Sequence, residues 1–231
     1  MMDATAVLDR LRSMADPDAV KGMARFGINP KDTLGVSMPA LRRLAREIGH
    51  DHALALALWD SGVHEARMLA GLVDDVEEVT SGQMERWVRD FDSWDVCDQV
   101  CSNLFAGTPA AYDKALEWSC RQEEFVKRAG FALMAALSVH DKRADDSKFI
   151  RFLPVIKKNA TDDRNFVKKA VNWALRQIGK RNLALNARAI STARELLGLE
   201  DKSARWIASD ALRELEGGAV QKRLKENARQ A

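Results

Sequence analysis

The amino-acid sequence predicts an all-α fold, a HEAT-like α-solenoid (an α–α superhelix) with a concave basic face. Three observations support this prediction. Apolar residues recur at helical spacing, capping residues separate these stretches, and a short motif returns after 41 residues. No apolar alternation of period two persists long enough to predict a strand. We expect residues 1–231 to form a single HEAT-like repeat domain.

The spacing of apolar side chains is typical of amphipathic helices. Leu41, Leu44 and Ile48 fall on one face of a helix, and residues 183–197 repeat this pattern. Composition agrees, because the chain has one tyrosine, five prolines and thirteen glycines among abundant helix formers. We expect roughly ten or eleven helices of about 10–15 residues, joined by short loops.

Helix-capping chemistry interrupts this spacing at several places. An Asp-Pro pair lies at residues 16–17, a Thr-Pro pair at residues 108–109, and Gly198 follows one of the apolar stretches. Aspartate and threonine cap the start of a helix, proline is favoured in its first turn, and glycine commonly follows its end. These positions therefore predict helix boundaries.

The chain also repeats itself. Phe-Val-Lys-Arg-Ala at residues 125–129 returns as Phe-Val-Lys-Lys-Ala at residues 166–170, and Ala-Leu-Arg-Gln-Ile at residues 174–178 returns, more weakly, at residues 211–215. The spacings of 41 and 37 residues are near the HEAT range. Shared composition alone is the alternative explanation. Stacked helical pairs would bury a continuous core and form a concave inner surface.

Basic residues accompany the repeat. Each of the first two copies has a pair of cations beside the apolar stripe instead of opposite it, Lys127 and Arg128 in the first and Lys168 and Lys169 in the second. In the weaker third copy Arg205 takes the place of Lys168. Further cations of this half of the chain are Lys157, Lys158, Arg176, Lys180 and Arg181. One face of the solenoid is therefore expected to be basic, which is typical of a surface that binds DNA.

Composition excludes several other classes of protein. The chain has 36 Lys and Arg against 34 Asp and Glu, so its net charge of +2 does not by itself indicate a polyanion partner. Three cysteines without a CxxC pair and four histidines indicate no disulfide framework, metal site or cofactor. No apolar run approaches the ~18 residues of a spanning helix. We expect a cytoplasmic protein with no membrane contact.

One segment combines an aromatic ring with a carboxylate. Ser93 is predicted to cap a helix that begins at Trp94, and Asp98 follows on the same helical face at the i, i+4 spacing. A carboxylate near a helix N-terminus is also an ordinary stabilising arrangement, so Asp98 alone does not indicate a site. Trp94 alone is equally consistent with core packing.

The order of these residues carries a resemblance to a known family. Ser-Trp-Asp-Val-x-Asp at residues 93–98 resembles the Trp-Asp-x-x-Asp signature of the AlkD-type DNA alkylation repair glycosylases. Lys-Arg-Ala at residues 127–129 is similar to the family's Gln-Arg-Ala stretch, and Asn-Trp-Ala-Leu-Arg at residues 172–176 is similar to its Gly-Trp-Val-Leu-Arg stretch. The resemblance extends over about residues 20–215.

The opening of the chain resembles the same family, with two departures. Residues 21–26 and 34–39 match the family's Met-Ala-Arg-Tyr and Gly-Ile/Val-x-x-Pro patterns. Phe26 replaces a tyrosine that contributes to DNA contact in the best-matching relatives, and the N-terminal helical segment is shorter. Loss of one hydroxyl contact typically costs about 1 kcal/mol, so it does not exclude binding.

The resemblance implies that the protein binds duplex DNA and hydrolyses the N-glycosidic bond of purines alkylated at N3 or N7. It implies a site on the concave side. Asp98 would stabilise the cationic sugar and place a water, Trp94 and Trp173 would offer aromatic faces, and Arg128 would hold a phosphate. The residues expected to bind DNA are Phe26, Lys127, Lys168, Lys169, Arg176 and Arg205. The protein is expected to be a monomer, associated with the nucleoid when bound to DNA.

Two other functions stay open at this stage. The first is a non-catalytic DNA-binding relative that recognises unusual or branched DNA, and the second is a HEAT-like scaffold for a protein partner. The remaining aromatic and titratable residues are expected to be structural. Trp59, Trp87, Trp118 and Trp206 are assigned to packing in the core or at an interface. Cys97 and Cys101 are assigned to the core, and His50, His52, His64 and His140 to the solvated surface.

Overall fold

The computed structural model describes residues 2–230 and consists of helices and the loops that join them. Within that range the chain forms fifteen α-helices and one short 3₁₀ helix, and no strand. The predicted all-α fold is confirmed. The helices outnumber the ten or eleven expected because several have nine residues or fewer. No helix in this range is long and apolar enough to cross a membrane.

The chain divides into two compact units, unit 1 at Met1–Pro109 and unit 2 at Ala110–Ala231. The predicted Thr-Pro break lies at this division. Whether the two units act as the single domain expected from the sequence stays a prediction. Each unit has its own buried apolar side chains and is described separately.

Unit 1 contains seven α-helices. They are α1 (Ala4–Ser13), α2 (Pro17–Arg25), α3 (Met38–Ile48), α4 (His52–Asp60), α5 (His64–Val73), α6 (Ser81–Arg89) and α7 (Trp94–Asn103), followed by a 3₁₀ helix at Phe105–Gly107. Helix α5 is central, because it packs against α1, α3, α4 and α7. Trp59 and Trp87 stack at 4.0 Å between ring centroids in the core, so their assignment to packing is confirmed.

Unit 2 contains eight α-helices. They are α8 (Ala111–Ser119), α9 (Glu124–His140), α10 (Asp146–Ile150), α11 (Phe152–Asn159), α12 (Asn165–Gly179), α13 (Leu183–Leu197), α14 (Lys202–Leu215) and α15 (Gly218–Gln230). The pairs α8 with α9, α11 with α12 and α13 with α14 stack in order, so that α12 contacts both α9 and α14. We call α9, α12 and α14 the long row and α8, α11 and α13 the second row.

The long row reproduces the sequence repeat. Its helices begin at Glu124, Asn165 and Lys202, which are 41 and 37 residues apart, the two spacings read from the sequence. Contacts between neighbouring helices recur 38 residues apart: Arg128 reaches the carbonyl of Phe166, and Arg176 reaches Glu214. Residues later in one helix contact residues later in the next helix. The three helices therefore run parallel, and their N-terminal ends lie at the same edge of unit 2.

A buried carboxylate organises the loop between α2 and α3. The side chain of Glu65, on α5, is buried and accepts the backbone N–H groups of Leu34 (2.8 Å), Gly35 (2.6 Å) and Val36 (3.2 Å). Gly35 has a φ of 82°, and a Cβ there would collide with the carbonyl oxygen of Asp16. The loop therefore depends on a glycine and on a charged acceptor beneath it.

We predict that Glu65→Gln lowers the free energy of unfolding by about 3 kcal/mol, because an amide offers one acceptor oxygen where the carboxylate offers two and turns its NH₂ group toward buried N–H donors. Urea denaturation measures the change. Glu78→Gln is the control, since Glu78 is exposed on the surface of the same unit. A loss below about 1 kcal/mol for Glu65→Gln would contradict this account of the loop.

Candidate nucleic-acid interface

Helix α7 presents Trp94 and Asp98 on one face. It begins at Trp94, as predicted, and both side chains are partly exposed. Ser93 occupies the N-cap position, but its side chain makes no capping bond. Instead its hydroxyl donates to Oδ1 of Asp95 at 2.8 Å. The carboxylate of the first turn is therefore Asp95, and Asp98 lies one turn further along the helix.

The loop after α2 is attached to the start of α7. The indole N–H of Trp94 donates to the backbone carbonyl of Phe26 at 3.1 Å. The amide of Asn29 donates to Asp92 at 2.7 Å, and its backbone N–H lies 3.4 Å from the hydroxyl of Ser93. The side chain of Phe26 itself is 75% exposed, which is unusual for a large apolar residue. Unit 1 thus brings the predicted residues Phe26, Trp94 and Asp98 into one neighbourhood.

An ion pair with a residue of α5 holds the first turn of α7 in place. Nε2 of His64, the first residue of α5, lies 2.9 Å from Oδ2 of Asp95, and His64 is 4% exposed. The expectation that His64 is a solvated surface residue is therefore wrong. The sequence concealed this role because Asp95 lies 31 residues away.

The pair shifts the pKa values of both partners. Burial, the largest effect, lowers the pKa of His64, but the hydrogen bond and the charge of Asp95 outweigh it and leave that pKa above 6.5. Burial likewise raises the pKa of Asp95, but the contacts with His64, Ser93 and Val96 outweigh it and leave that pKa below 3.8. Both shifts favour the charged form of the group, and the pair holds the segment that carries Trp94.

Unit 2 holds Arg128 and Lys127 at the N-terminal end of α9. Nη1 of Arg128 donates to the carbonyl of Phe166 at 2.6 Å, and the residue is 6% exposed. Lys127 is also buried, and its Nζ lies 3.3 Å from Oδ2 of Asp162. The same carboxylate binds Arg164 at 2.6 Å. The structure thus places Lys127 in an internal ion pair between two repeats.

The next two helices of the long row carry the more exposed cations. Lys169 and Arg205 are exposed, and Nε of Arg205 donates to the carbonyl of Leu199 at 2.8 Å. Lys168 is partly exposed and places its ammonium 5.3 Å from the ring centroid of Trp206. Trp206 is 41% exposed, so of the two expected roles, packing in the core or at an interface, the structure excludes the core.

Trp206 is a residue of this surface that the sequence reading missed. It is the fifth residue of α14, as Arg128 is of α9 and Lys169 of α12. Equivalent positions of stacked repeats face the same side, so Trp206 occupies the place that a basic residue takes in the two preceding repeats. The repeat register was the signal that would have identified it.

Trp173 and Arg176 lie further along α12. Trp173 is partly exposed, whereas Arg176 forms an ion pair with Glu214 of α14, with 2.6 Å between Nη1 and Oε2. Its neighbour Asn172 donates to Asp210 of α14 at 2.6 Å. The charge of Arg176 is therefore compensated within unit 2. Of the four residues assigned to catalysis, Trp94 and Asp98 belong to unit 1, and Arg128 and Trp173 to unit 2, so their convergence on one side stays a prediction.

The described part of the chain holds no cluster of three or more His, Cys, Asp or Glu side chains placed to bind a metal ion. Cys97 and Cys101 are buried on α7, as expected.

Stacked helical pairs with a regular register define this chain as a HEAT-like repeat protein. Residues 7–215 match the profile of a family described as DNA alkylation repair enzyme, and the chain belongs to that family. A solved structure has a TM-score of 0.77 and 21% identity, covering 93% of this chain and 96% of its own. It is described as a new family related to the HEAT-like repeat DNA glycosylases with affinity for branched DNA structures. That likeness establishes the fold.

A second solved structure is more distant. It is a designed armadillo repeat protein in complex with a (KR)4 peptide, with a TM-score of 0.39 and 14% identity over 81% of this chain and 80% of its own. A search of curated proteins found no match.

The His64–Asp95 pair generates a prediction about pH. Because the pKa of His64 is raised on folding, its contribution to stability is complete below about pH 6.5 and is lost as the pH rises through the folded pKa. The contribution of Asp95, whose pKa is lowered, is present above about pH 3.8 and is lost as the pH falls through the folded pKa.

We predict that His64→Gln costs about 3 kcal/mol at pH 6 and less at pH 9, because raising the pH deprotonates the imidazolium and weakens the ion pair of the wild type. Urea denaturation at the two pH values measures this difference. His140→Gln is the matched control, because His140 is exposed at the end of α9. An equal cost of His64→Gln at both pH values would contradict a change in the charge of His64 between them.

Proposed function

We propose that this protein binds duplex DNA as a monomer and excises purines alkylated at N3 or N7 by hydrolysing their N-glycosidic bond. The observation that carries this proposal is the arrangement of α7, which presents Trp94 and Asp98 one turn apart and is bonded through Trp94 to the backbone of the exposed residue Phe26. Membership of the DNA alkylation repair enzyme family supports it. The proposal assigns to each of these residue types a task that the reaction requires.

The reaction requires negative charge beside the sugar. A purine alkylated at N3 or N7 already carries positive charge, so it leaves without protonation, and the sugar left behind becomes a cation. The carboxylate of Asp98 stabilises that cation and orients the attacking water. A pair of unit charges about 4 Å apart is worth about 4 kcal/mol at an effective dielectric constant of 20, which is roughly three orders of magnitude in rate.

The aromatic and guanidinium side chains would bind the nucleotide. The faces of Trp94 and Trp173 attract a developing cation, by about 0.5–2 kcal/mol each. The bond from Trp94 to the Phe26 carbonyl and the anchored first turn of α7 keep that indole in place. Arg128 is oriented by its bond to the Phe166 carbonyl, and a fixed guanidinium suits the binding of a phosphate.

Contact with the DNA backbone would come from the exposed part of the long row. We assign it to Lys168, Lys169 and Arg205, with Trp206 as an added aromatic contact. Lys127 and Arg176 were expected in this group, but each is bound to a carboxylate of another repeat. We propose that these two cations align the repeats.

A second candidate function is recognition of branched DNA without excision. Two large aromatic side chains, Phe26 and Trp206, are exposed, and such rings stack on bases that are unpaired at a branch point. The structural neighbour with a TM-score of 0.77 is itself described as having affinity for branched DNA structures. Base release separates the two functions, since only the first requires it.

We predict that Asp98→Asn keeps the affinity for duplex DNA within about twofold but lowers single-turnover release of N7-methylguanine by up to about three orders of magnitude, because the amide preserves shape and removes charge. Released base is quantified by chromatography. Asp113→Asn is the charge-matched control, since Asp113 is exposed on α8, in the second row of unit 2.

Unchanged release by Asp98→Asn would remove Asp98 from the reaction and leave it as a residue of the helix start. No release by the wild type, together with tighter binding to a three-way junction than to a duplex, would replace excision by the second candidate function.

We predict that Lys169→Ala lowers the slope of log affinity against log salt concentration, for undamaged duplex, by about one unit, because one fewer phosphate is neutralised. Fluorescence anisotropy at several salt concentrations measures the slope. Lys158→Ala removes the same charge from α11, in the second row, and is expected to leave the slope unchanged. Equal slopes for the two variants would contradict a DNA contact at Lys169.

A further inference from the structure

Unit 2 contains a polar cavity away from the residues discussed above. Its volume is about 510 Å³, and it lies at the C-terminal ends of α9 and α12. Arg128 precedes Ser138, which lines the cavity, by ten residues of the same helix, a distance of about 15 Å along its axis. The charged side chains of the lining are Lys142, Asp146, Lys180, Arg181 and Arg223.

Hydrogen bonds hold two polar residues of the lining, Arg181 and Asn182. Arg181 donates from Nη1 to the carbonyl of Ser138 at 3.2 Å and from Nη2 to the carbonyl of Ala144 at 3.0 Å, and its guanidinium lies 4.2 Å from the ring centroid of Phe149. Asn182 donates to both carboxylate oxygens of Asp146 at 2.9 Å. The bond from Arg181 to Ser138 occupies one carbonyl group of the last turn of α9, which would otherwise repel an anion.

The rim of the cavity carries the more exposed cations. Lys142 follows α9 and Arg223 belongs to α15, and both residues are exposed. Nη2 of Arg223 lies 3.4 Å from the carbonyl of Lys180, so this contact attaches the guanidinium to the C-terminal end of α12. Lys180 is bound to Glu214 at 2.6 Å, so its own charge is largely compensated. The amides of Gln177 and Asn227 complete the polar lining.

The charges of the lining do not balance. Four cations face one carboxylate, Asp146, and even with Lys180 neutralised by Glu214 the walls keep a positive excess. Like charges around one cavity repel each other, and an anion within it relieves that repulsion. The volume lies within the range of about 300–1,000 Å³ found for ligand sites, yet the lining is polar and charged instead of mainly apolar.

We propose that this cavity is a second binding site, which takes a phosphate-bearing ligand about the size of a mononucleotide. Arginine and lysine on the rim bind the phosphate oxygens, and the amides of Gln177 and Asn227 bind the rest of the ligand. The phosphate belongs either to a free nucleotide or to the phosphorylated end of a DNA strand. The proposal does not depend on excision, because the site shares no residue with the interface above.

The test measures the affinity for inorganic pyrophosphate by isothermal titration calorimetry at constant ionic strength. We expect binding to the wild type, with the dissociation constant raised about tenfold by Lys142→Ala and by Arg223→Ala, the effect of one lost charge-assisted hydrogen bond. The matched controls are Arg143→Ala and Lys222→Ala. They remove the same charge from exposed neighbours in the sequence that do not line the cavity, and are expected to leave the constant within about twofold.

A second arm distinguishes the sources of the phosphate. It compares a single-stranded oligonucleotide that carries a 5′-phosphate with the same oligonucleotide that carries a 5′-hydroxyl. Tighter binding of the phosphorylated strand, lost in Arg223→Ala but kept in Lys222→Ala, assigns the site to strand ends. Equal binding of both strands, with pyrophosphate bound as expected, assigns it to a free ligand.

Two results would overturn the proposal. One is equal weakening by all four variants, which would reflect general attraction of anions to a basic surface. The other is a wild type that neither binds pyrophosphate nor distinguishes the two strands. The four substituted residues are exposed surface cations, so the variants are expected to fold, and circular dichroism verifies this.

Discussion

Each helical pair of unit 2 depends on the next pair to bury its second apolar face, and this dependence determines how the charges of the unit are used. The repeats of the long row are joined by ion pairs that reach about one repeat along the chain, such as Lys127 to Asp162 and Arg176 to Glu214. A buried guanidinium or ammonium is costly unless it is paired, so these cations cannot also remain fully available to a ligand. The repeat therefore divides its basic residues between alignment of the helices and binding.

In unit 1, buried charged side chains hold the loop at residues 34–36 and the start of α7 in place. They belong to two adjacent residues at the beginning of α5. Glu65 binds the backbone of the loop at residues 34–36, and His64 binds Asp95 in the first turn of α7. Charged hydrogen bonds are stronger than neutral ones, and in a buried setting they tolerate little displacement. The position of Trp94 thus follows from contacts made two elements away.

The sequence predicted the features that depend on local spacing. Repeat spacing predicted the intervals of 41 and 37 residues between helices of the long row. Capping residues predicted that α7 starts at Trp94. Prediction from the sequence failed for residues whose partner lies far along the chain. Nothing near His64 or Lys127 in the sequence announces Asp95 or Asp162, which are 31 and 35 residues away, so one was assigned to the surface and the other to DNA.

A net charge of +2 is compatible with binding a polyanion once the location of the charges is considered. Acidic side chains near the long row of unit 2 are bound to cations, as Asp162 is to Arg164 and Glu214 to Lys180. Exposed cations lie at both ends of the row, with Lys169 and Arg205 at the N-terminal edge and Lys142 and Arg223 around the cavity. A phosphate group is attracted by the charges that lie within about one Debye length, roughly 8–10 Å, and not by the net charge of the whole chain. The local distribution of surface charge, and not the net charge of the chain, is therefore the quantity that matters for the binding of a phosphate group.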